Sequence, residues 1–333
     1  MNGKIRWGIL GCGNIANKFA ADLKYVEDAE LVAVASRDHQ KSIDFSKKYN
    51  ARLSFDSYEA LAASPDVDVI YIATPHGFHH EHALLCIQHK KAVLCEKAFA
   101  LNSYQVNEMI QAARQNRVFL MEAFWTKFIP QYEKLISVIQ RGEIGEVKMI
   151  QADFGFNAPT PSKQRLYDPV LGGGALLDIG IYPVFLATSL LGRPTEVFAT
   201  MKPYPSGVDQ QIAMVLKFES GALANLSATF EADTATEAII AGNNGLLRWS
   251  NHFFNAASNM ELTKKSTPVE MLPVHREEGT GYQFEARHVG ECLRNKLIES
   301  PVMSHQDSLL LMETLDRIRV SCGIRYPADE RKN

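Results

Sequence analysis

Ile5-Arg6-Trp7-Gly8-Ile9-Leu10-Gly11-Cys12-Gly13-Asn14-Ile15-Ala16 is an apolar run that stops at a glycine-rich turn and passes into a helical pattern through Ala20, Leu23 and Tyr25. The spacing is G-x-G-x-x-A directly after a strand and at the start of a helix, the setting that a dinucleotide fingerprint requires. Gly11 permits the tight turn, Gly13 lets the backbone approach a pyrophosphate, and Ala16 allows the helix to pack closely on the sheet. At the helix start, Asn14 and Ile15 offer free N–H groups to the phosphates. Glycine-rich turns between strand and helix are common, so the motif gains its weight from standing at the head of a βαβ pattern.

That pattern continues. Glu30-Leu31-Val32-Ala33-Val34-Ala35 reads as a second strand, and Ser36-Arg37-Asp38 follows where the ribose is read. A carboxylate there would accept bonds from the 2′-hydroxyl of NAD, whereas a small hydroxyl followed by a guanidinium suits the 2′-phosphate of NADP. NADP is therefore expected over NAD, although one residue of register would bring Asp38 to the ribose. A third strand is expected over residues 51–55, and a short helix from Tyr58 to Ala63. Asp68-Val69-Ile70-Tyr71-Ile72-Ala73 has the near-continuous apolar character of a buried parallel strand. The loop after it, Thr74-Pro75-His76-Gly77-Phe78-His79, is expected beside the nicotinamide side of the cofactor, because ligands lie beyond the carboxyl ends of such strands.

Four histidines fall between His76 and His82, so a metal site has to be weighed. No cysteine stands at ligand spacing and Glu81 is expected to point away from His79 and His82, so Thr74, Pro75 and His79 are read as cofactor-side residues and no metal is expected. A helix around Glu81 to His89 leads to Ala92-Val93-Leu94-Cys95 and then Glu96-Lys97. In isolation that acid-base pair is an ordinary solvated one; at the cofactor edge of a strand it becomes a candidate site. A helix from Asn102 to Asn116, with Asn102 and Gln105 at capping-box spacing, and a sixth strand from Val118 to Glu122 complete the set. Residues 1–122 are thus expected to form an α/β domain with a doubly wound parallel sheet.

At 333 residues the chain is too long for one ordinary core, and its 46% hydrophobic and 22% charged residues place it among globular proteins. A formal net charge of -3 gives no reason to expect nucleic acid or an anionic membrane as partner, which leaves a small molecule. Five scattered cysteines without a C-x-x-C pair fit reduced thiols in the cytoplasm. The glycines at positions 8, 11 and 13 break the first apolar run too early for a signal peptide, and no run is expected to cross a bilayer.

After Ala123 the rhythm changes. Phe124-Trp125-Thr126-Lys127-Phe128-Ile129-Pro130 is an aromatic crossover into a helix ending near Gln140. Strand-like alternation then dominates, with turn signals at Ser220-Gly221 and Asn243-Asn244-Gly245, so residues 123–333 are expected to form an α+β domain around a mostly antiparallel sheet. Two helices, near Gln283 to Leu297 and Gln306 to Val320, close the chain, and residues from Asp329 on are expected to fray. One segment stands apart: Gly172-Gly173-Gly174-Ala175-Leu176-Leu177-Asp178-Ile179-Gly180-Ile181-Tyr182-Pro183. A regular helix would put Asp178 and Tyr182 on one face, but Pro183 demands a kink or a restart.

Taken jointly, Gly11-x-Gly13-x-x-Ala16, Thr74-Pro75-x-x-x-His79, Cys95-Glu96-Lys97, Trp125-Thr126-Lys127-Phe128 and Asp178-x-Gly180-x-Tyr182 resemble the Gfo/Idh/MocA oxidoreductases over essentially the whole chain. Tyr182, where many members carry histidine, resembles the branch of glucose-fructose oxidoreductase and dimeric dihydrodiol dehydrogenase. The resemblance implies that Lys97 and Tyr182 form a catalytic pair, that Asp178 helps hold the substrate, that Glu96 and Trp125 lie on the cofactor side, and that the outer face of the second sheet forms a homodimer. The chemistry agrees: oxidising a secondary alcohol needs a base for the hydroxyl proton while hydride leaves to the nicotinamide, and an ammonium near a phenol favours its phenolate. The implied activity is hydride transfer between NADP and a hydroxyl or carbonyl carbon of a sugar, cyclic polyol or trans-diol.

Two departures from the family pattern matter. Ala98 stands where proline is common, which predicts a less rigid turn after Lys97, and Lys127 stands where arginine is common, which removes a bidentate contact. An NAD-dependent glycosidase of the same fold is the alternative enzyme, disfavoured by Ser36-Arg37. A non-catalytic NADP-sensing regulator is the other, disfavoured by the intact Lys97 and Tyr182.

Overall fold

The six apolar runs of the first third become six parallel strands in the order β3-β2-β1-β4-β5-β6. These are β1 (Ile5–Leu10), β2 (Ala29–Ala35), β3 (Leu53–Phe55), β4 (Val69–Ile72), β5 (Ala92–Glu96) and β6 (Leu120–Ala123). The computed structural model describes residues 3–158 and 164–331. Helices α1 (Asn14–Leu23), α2 (His39–Tyr49), α3 (Tyr58–Ala63), α4 (His79–Gln88) and α5 (Ser103–Asn116) connect the strands. The chain winds outward in both directions from the β1/β4 pair, and the ends of those two strands form the crevice where such sheets bind ligands.

Local sequence explains most of this. In α1, Ala16, Phe19, Ala20 and Leu23 are buried at helical spacing, and Phe19 lies against Trp7 at 5.3 Å and stacks on Tyr71 at 3.8 Å. At the start of α5, Asn102 Oδ1 accepts from the Gln105 N–H at 3.0 Å, while Gln105 Oε1 accepts from the Leu101 N–H at 3.0 Å. Helix α2 has little apolar periodicity to announce it in the sequence, but Asp38 caps it by accepting from the Lys41 N–H at 3.2 Å.

Two compact units make up the chain, one of Met1–Phe128 with Glu277–Ser308, the other of Ile129–Arg276 with Leu309–Asn333. The change of rhythm in the sequence places everything after residue 122 in the second domain. Glu277–Ser308 instead packs with the first, and its helix Tyr282–Arg294, the eighth of the chain (α8), lies against α1. The attachment is polar and specific: the buried Asp22 carboxylate of α1 accepts from the backbone N–H groups of Thr280, Gly281 and Tyr282 at 2.8 to 3.0 Å and from the Thr280 hydroxyl at 2.8 Å.

The second unit starts with α6 (Pro130–Gln140) and holds an eight-stranded sheet in the order β14-β13-β12-β11-β7-β10-β9-β8. Its strands are β7 (Val147–Gly155), β8 (Pro194–Pro203), β9 (Asp209–Phe218), β10 (Leu223–Thr229), β11 (Ala238–Gly242), β12 (Gly245–Ser250), β13 (Asn259–Lys264) and β14 (Glu270–Met271). Among the described strands of this sheet, β7 and β10 alone pair in parallel; the other neighbours are antiparallel, with hairpins at both expected turns. Along β9, Ile212, Met214, Leu216 and Phe218 are buried while the residues between them are exposed, so one face is core and the other open. The inner face carries a π-helical turn (Leu176–Gly180) and α7 (Ile181–Leu191), both almost wholly buried.

Two expectations need correction. Pro169–Leu191 is long and apolar enough by hydropathy to cross a membrane, contrary to what the sequence leads one to expect, but 83% of its window is buried inside the protein, as a core segment is. Asp329 is not frayed: it accepts from Arg319 Nη1, in α9 (His305–Cys322), at 2.8 Å and from the Tyr326 N–H at 2.9 Å. Residues 332 and 333 lie outside those described.

Candidate active site

The glycine turn has two different reasons for its two glycines. Gly11 has φ +98°, and a Cβ there would sit 2.9 Å from Thr74 Cγ2 and 3.2 Å from the Ala73 carbonyl oxygen, so the fold itself forbids a side chain. Gly13 has an ordinary φ of -87°, and a Cβ would meet only the Ala73 carbonyl oxygen, at 3.8 Å. The chain has room there, so the missing side chain leaves space for something outside the chain. Gly13 is also the N-cap of α1, with no side-chain cap and no acidic residue in the first turn, which leaves the N–H groups of Asn14 and Ile15 directed at that space. This cradle fits a dinucleotide pyrophosphate.

At the end of β2, Ser36 is buried and its Oγ accepts from the Asp38 N–H at 3.2 Å, while Arg37 is exposed. Asp38 is engaged as the cap of α2. Beyond β4, Thr74 Oγ1 lies 3.0 Å from His82 Nδ1, and Pro75 precedes a single 3-10 turn, His76–Phe78, that runs into α4. Glu81 does not point away from His82, as its place in the sequence suggests, because helix side chains at adjacent positions still meet when one is long: Glu81 Oε1 lies 3.4 Å from His82 Nε2. Among the described residues no group of three or more His, Cys, Asp or Glu is arranged to hold a metal ion.

His79 is fully buried, and both of its ring nitrogens face backbone carbonyls: Nδ1 at 2.8 Å from the Ala98 oxygen, Nε2 at 2.7 Å from the Thr74 oxygen. The ring therefore ties the loop after β4 to the turn after β5. The Lys97–Ala98 peptide is cis. The turn is not loosened by the missing proline, because side chains fix it from both sides: Ala98 and Phe99 are fully buried, His79 holds the Ala98 carbonyl, and Glu122 Oε1 accepts from the Phe99 N–H at 3.1 Å.

Around Glu96 lies a set of buried acids. Glu96 accepts a short hydrogen bond from the Tyr71 hydroxyl and another from the Lys97 N–H at 3.2 Å. Burial pushes its carboxyl up to about 7, against the opposing effects of Tyr71 and Lys97. Glu122 is also raised to about 7, again by burial first, with nearby Ser308 and the Phe99 N–H bond opposing. Glu285, from α8, is fully buried, and neither of its oxygens has a hydrogen-bond partner among the described residues. Burial, and then the nearby Glu96 and Asp22, raise it well above the carboxylate range. Motif and spacing single out none of Tyr71, Asp22 and Glu285. The visible signal is a polar residue inside an apolar period: a tyrosine in the β4 run and an acid on the buried side of α1. Trp125, after β6, is buried and stacks on Tyr282 at 4.6 Å with planes 8° apart, and Lys127 Nζ pairs with Asp307 Oδ2 at 3.0 Å.

Asp178 and Tyr182 belong to the second unit. They do not share one regular helix: Asp178 is in the π-helical turn and Tyr182 is the second residue of α7. Pro183 explains the break, since it has no N–H to donate and its ring crowds the preceding turn, which a wider π turn relieves. Tyr182 is buried beside Phe254, at 4.7 Å, and Phe154, at 5.8 Å, and Asp178 Oδ1 lies 3.6 Å from Arg165 Nη2.

A Rossmann sheet with a glycine cradle, joined in one chain to a second α+β unit, is the architecture of a dinucleotide-binding protein. Residues 5–124 match the GFO_IDH_MocA oxidoreductase family with NAD-binding Rossmann fold, and residues 132–248 match the GFO/IDH/MocA C-terminal domain. Trans-1,2-dihydrobenzene-1,2-diol dehydrogenase of Xenopus laevis is 39% identical over 97% of this chain and 99% of its own length. The Homo sapiens protein of the same name is 34% identical over 98% and 99%. The chain belongs to the Gfo/Idh/MocA family and is an NAD(P)-dependent oxidoreductase.

Among solved structures, a 3-ketoreductase from Actinomadura kijaniata in complex with NADP and TDP-benzene matches with a TM-score of 0.86 at 25% identity, covering 96% of this chain and 98% of that one. Aldose-aldose oxidoreductase from Caulobacter crescentus, complexed with glycerol, matches with a TM-score of 0.88 at 24% identity over 96% and 98%, a likeness of fold.

Proposed function

We propose that the protein is an NADP-preferring dehydrogenase or reductase acting on a hydroxyl or carbonyl carbon of a trans-diol, cyclic polyol or sugar. The observation that carries the reading is the full-length similarity to dihydrodiol dehydrogenases, combined with a glycine cradle whose second glycine the chain itself does not need. NADP preference rests on Ser36-Arg37 and on the engagement of the Asp38 carboxylate in capping α2.

The bound nicotinamide would supply or accept the hydride. Gly11, Gly13, Asn14 and Ile15 hold the pyrophosphate, Ser36 and Arg37 the adenosine end, and Thr74, Pro75, Glu96, Lys97 and Trp125 the nicotinamide side. His79 acts through the turn after Lys97, whose carbonyl it holds. Tyr182 takes the hydroxyl proton during oxidation and returns it during reduction, and Lys97 favours its phenolate form. Asp178, steadied by Arg165, orients the substrate hydroxyls.

The outer face of the eight-stranded sheet carries Phe198 at 58% exposure and Val215 at 37%, beside a shallow concavity of about 490 Å³ lined also by Thr200, Ala213, Asn225 and Ser227. We assign it to a homodimer interface; light scattering giving only monomer at micromolar concentration would remove that assignment. A cytoplasmic setting is supported by five cysteines that are all free thiols.

The test is a screen of diols, polyols and sugars with NADP and with NAD, following absorbance of the reduced cofactor, on wild type, Lys97→Met and Tyr182→Phe. Turnover is expected with NADP in wild type and nearly abolished in both variants. Full turnover in either variant would sink its assigned role.

A further inference from the structure

Arg37 is exposed at the end of β2, yet its guanidinium lies over one aromatic ring and close to a second. Its Cζ sits 5.5 Å from the centroid of the Phe78 ring, in cation-π geometry. Tyr58, the first residue of α3, lies close enough that the Arg37 charge opposes the upward push of burial on its phenol. His82 joins the two rings, edge-on to Tyr58 at 4.7 Å and tilted against Phe78 at 5.9 Å. Its own polar atoms are engaged with Thr74 and Glu81. Burial, and then the charges of His79 and Arg37, lower the His82 imidazole to about 4, so it is neutral at neutral pH and serves as a spacer beside the Arg37 cation.

Three separate segments thus converge on one surface arginine: the end of β2, the start of α3 and the 3-10 turn after β4. Tyr58 and Phe78 are only half-buried, so they are not core residues that happen to touch it. An arginine recognises phosphate through a planar fork of N–H groups, and packing one face of that plane on an aromatic ring fixes the direction of the fork.

We propose that Phe78 and Tyr58 are positioning residues for cofactor choice, holding the Arg37 fork toward the ribose 2′ position so that a 2′-phosphate is preferred over a 2′-hydroxyl. The inference rests on the reading above in which Ser36 and Arg37 meet that phosphate. It assigns discrimination to two residues outside the strand-end motif, one of them in the loop otherwise read as nicotinamide-facing.

Calorimetric titration of the full chain with 2′,5′-ADP and with 5′-AMP tests it without a known substrate. Wild type is expected to bind 2′,5′-ADP more tightly, and Arg37→Ala to bring the affinity ratio near one. Phe78→Ala and Tyr58→Phe are each expected to lower the ratio about two- to fivefold, with 5′-AMP affinity unchanged. Phe78→Trp should restore the ratio, which a general loss of structure would not allow. A wild-type ratio near one would overturn the underlying NADP reading. A discriminating wild type whose ratio survives Phe78→Ala and Tyr58→Phe, or falls only because both nucleotides weaken equally, would overturn the positioning role and leave the NADP reading standing.

Discussion

His79 Nδ1 lies 2.8 Å from the carbonyl oxygen of Ala98, across 19 residues of sequence, while the other ring nitrogen holds Thr74. Both bonds are donated at once only by an imidazolium, because a neutral ring has a single N–H. Replacing it leaves two carbonyls without this partner in a buried place. His79→Leu is expected to lower stability by about 2 to 4 kcal/mol in urea denaturation. With the turn after Lys97 and the Thr74 loop both released, kcat should fall roughly tenfold or more and NADPH affinity should fall with it. A variant with unchanged kcat would show that the turn stands without the ring.

The two glycines of the cradle should respond differently. Gly13→Ala meets no close neighbour and is expected to change stability by less than about 0.5 kcal/mol, yet to weaken NADPH binding at least roughly tenfold because the Cβ enters the phosphate space. Gly11→Ala, at φ +98°, should destabilise the protein itself by about 1 to 3 kcal/mol. Fluorescence titration with NADPH and urea melts on both variants separate the two effects.

Glu122 ties part of the stability to pH. Burial raises its carboxyl to about 7, above the unfolded value. Between those values the folded protein keeps a proton that the unfolded chain releases, so the stabilisation is complete at low pH and is lost as pH rises through about 7. Glu122→Gln stays neutral and keeps an acceptor for the Phe99 N–H. Between about pH 5 and about pH 8, wild type is expected to lose on the order of 3 kcal/mol more than the variant. Parallel slopes in urea melts across that range would refute the assignment.

Asp22 joins residues 258 to 260 positions apart. Asp22→Ala leaves the N–H groups at the start of α8 without their acceptor and is expected to cost about 2 to 4 kcal/mol. Asp22→Asn, which retains one acceptor oxygen, should cost about half of that. Hydrogen exchange of the Thr280 to Tyr282 amides would show whether the loss is local to this attachment; slow exchange at those amides in Asp22→Ala would contradict it.

The strands around Ile5–Leu10 and Val69–Ile72 were legible because a buried parallel strand needs an uninterrupted apolar run, and the glycine turn because only certain residues fit its backbone. Helix α2 was not, since most of its residues are polar and its cap, Asp38, reads as a loop residue. The π-helical turn before Tyr182 was half legible: Pro183 announced a break, but the form of the break depends on how the widened turn packs inside the second unit.

The sequence by itself determined the parallel sheet, the cradle at Gly11 and Gly13 and the antiparallel second sheet, since each is written in short-range periodicity or in a backbone requirement of single residues. Only the tertiary structure decided that Glu277–Ser308 packs with the first unit, that Glu96, Glu122 and Glu285 form one buried acid set, and that His79 and Glu122 hold the turn after Lys97 where a proline is missing. The reason is the same for all three. Pairing of buried polar groups depends on which distant atoms the fold brings within hydrogen-bond distance, and local pattern carries no record of that.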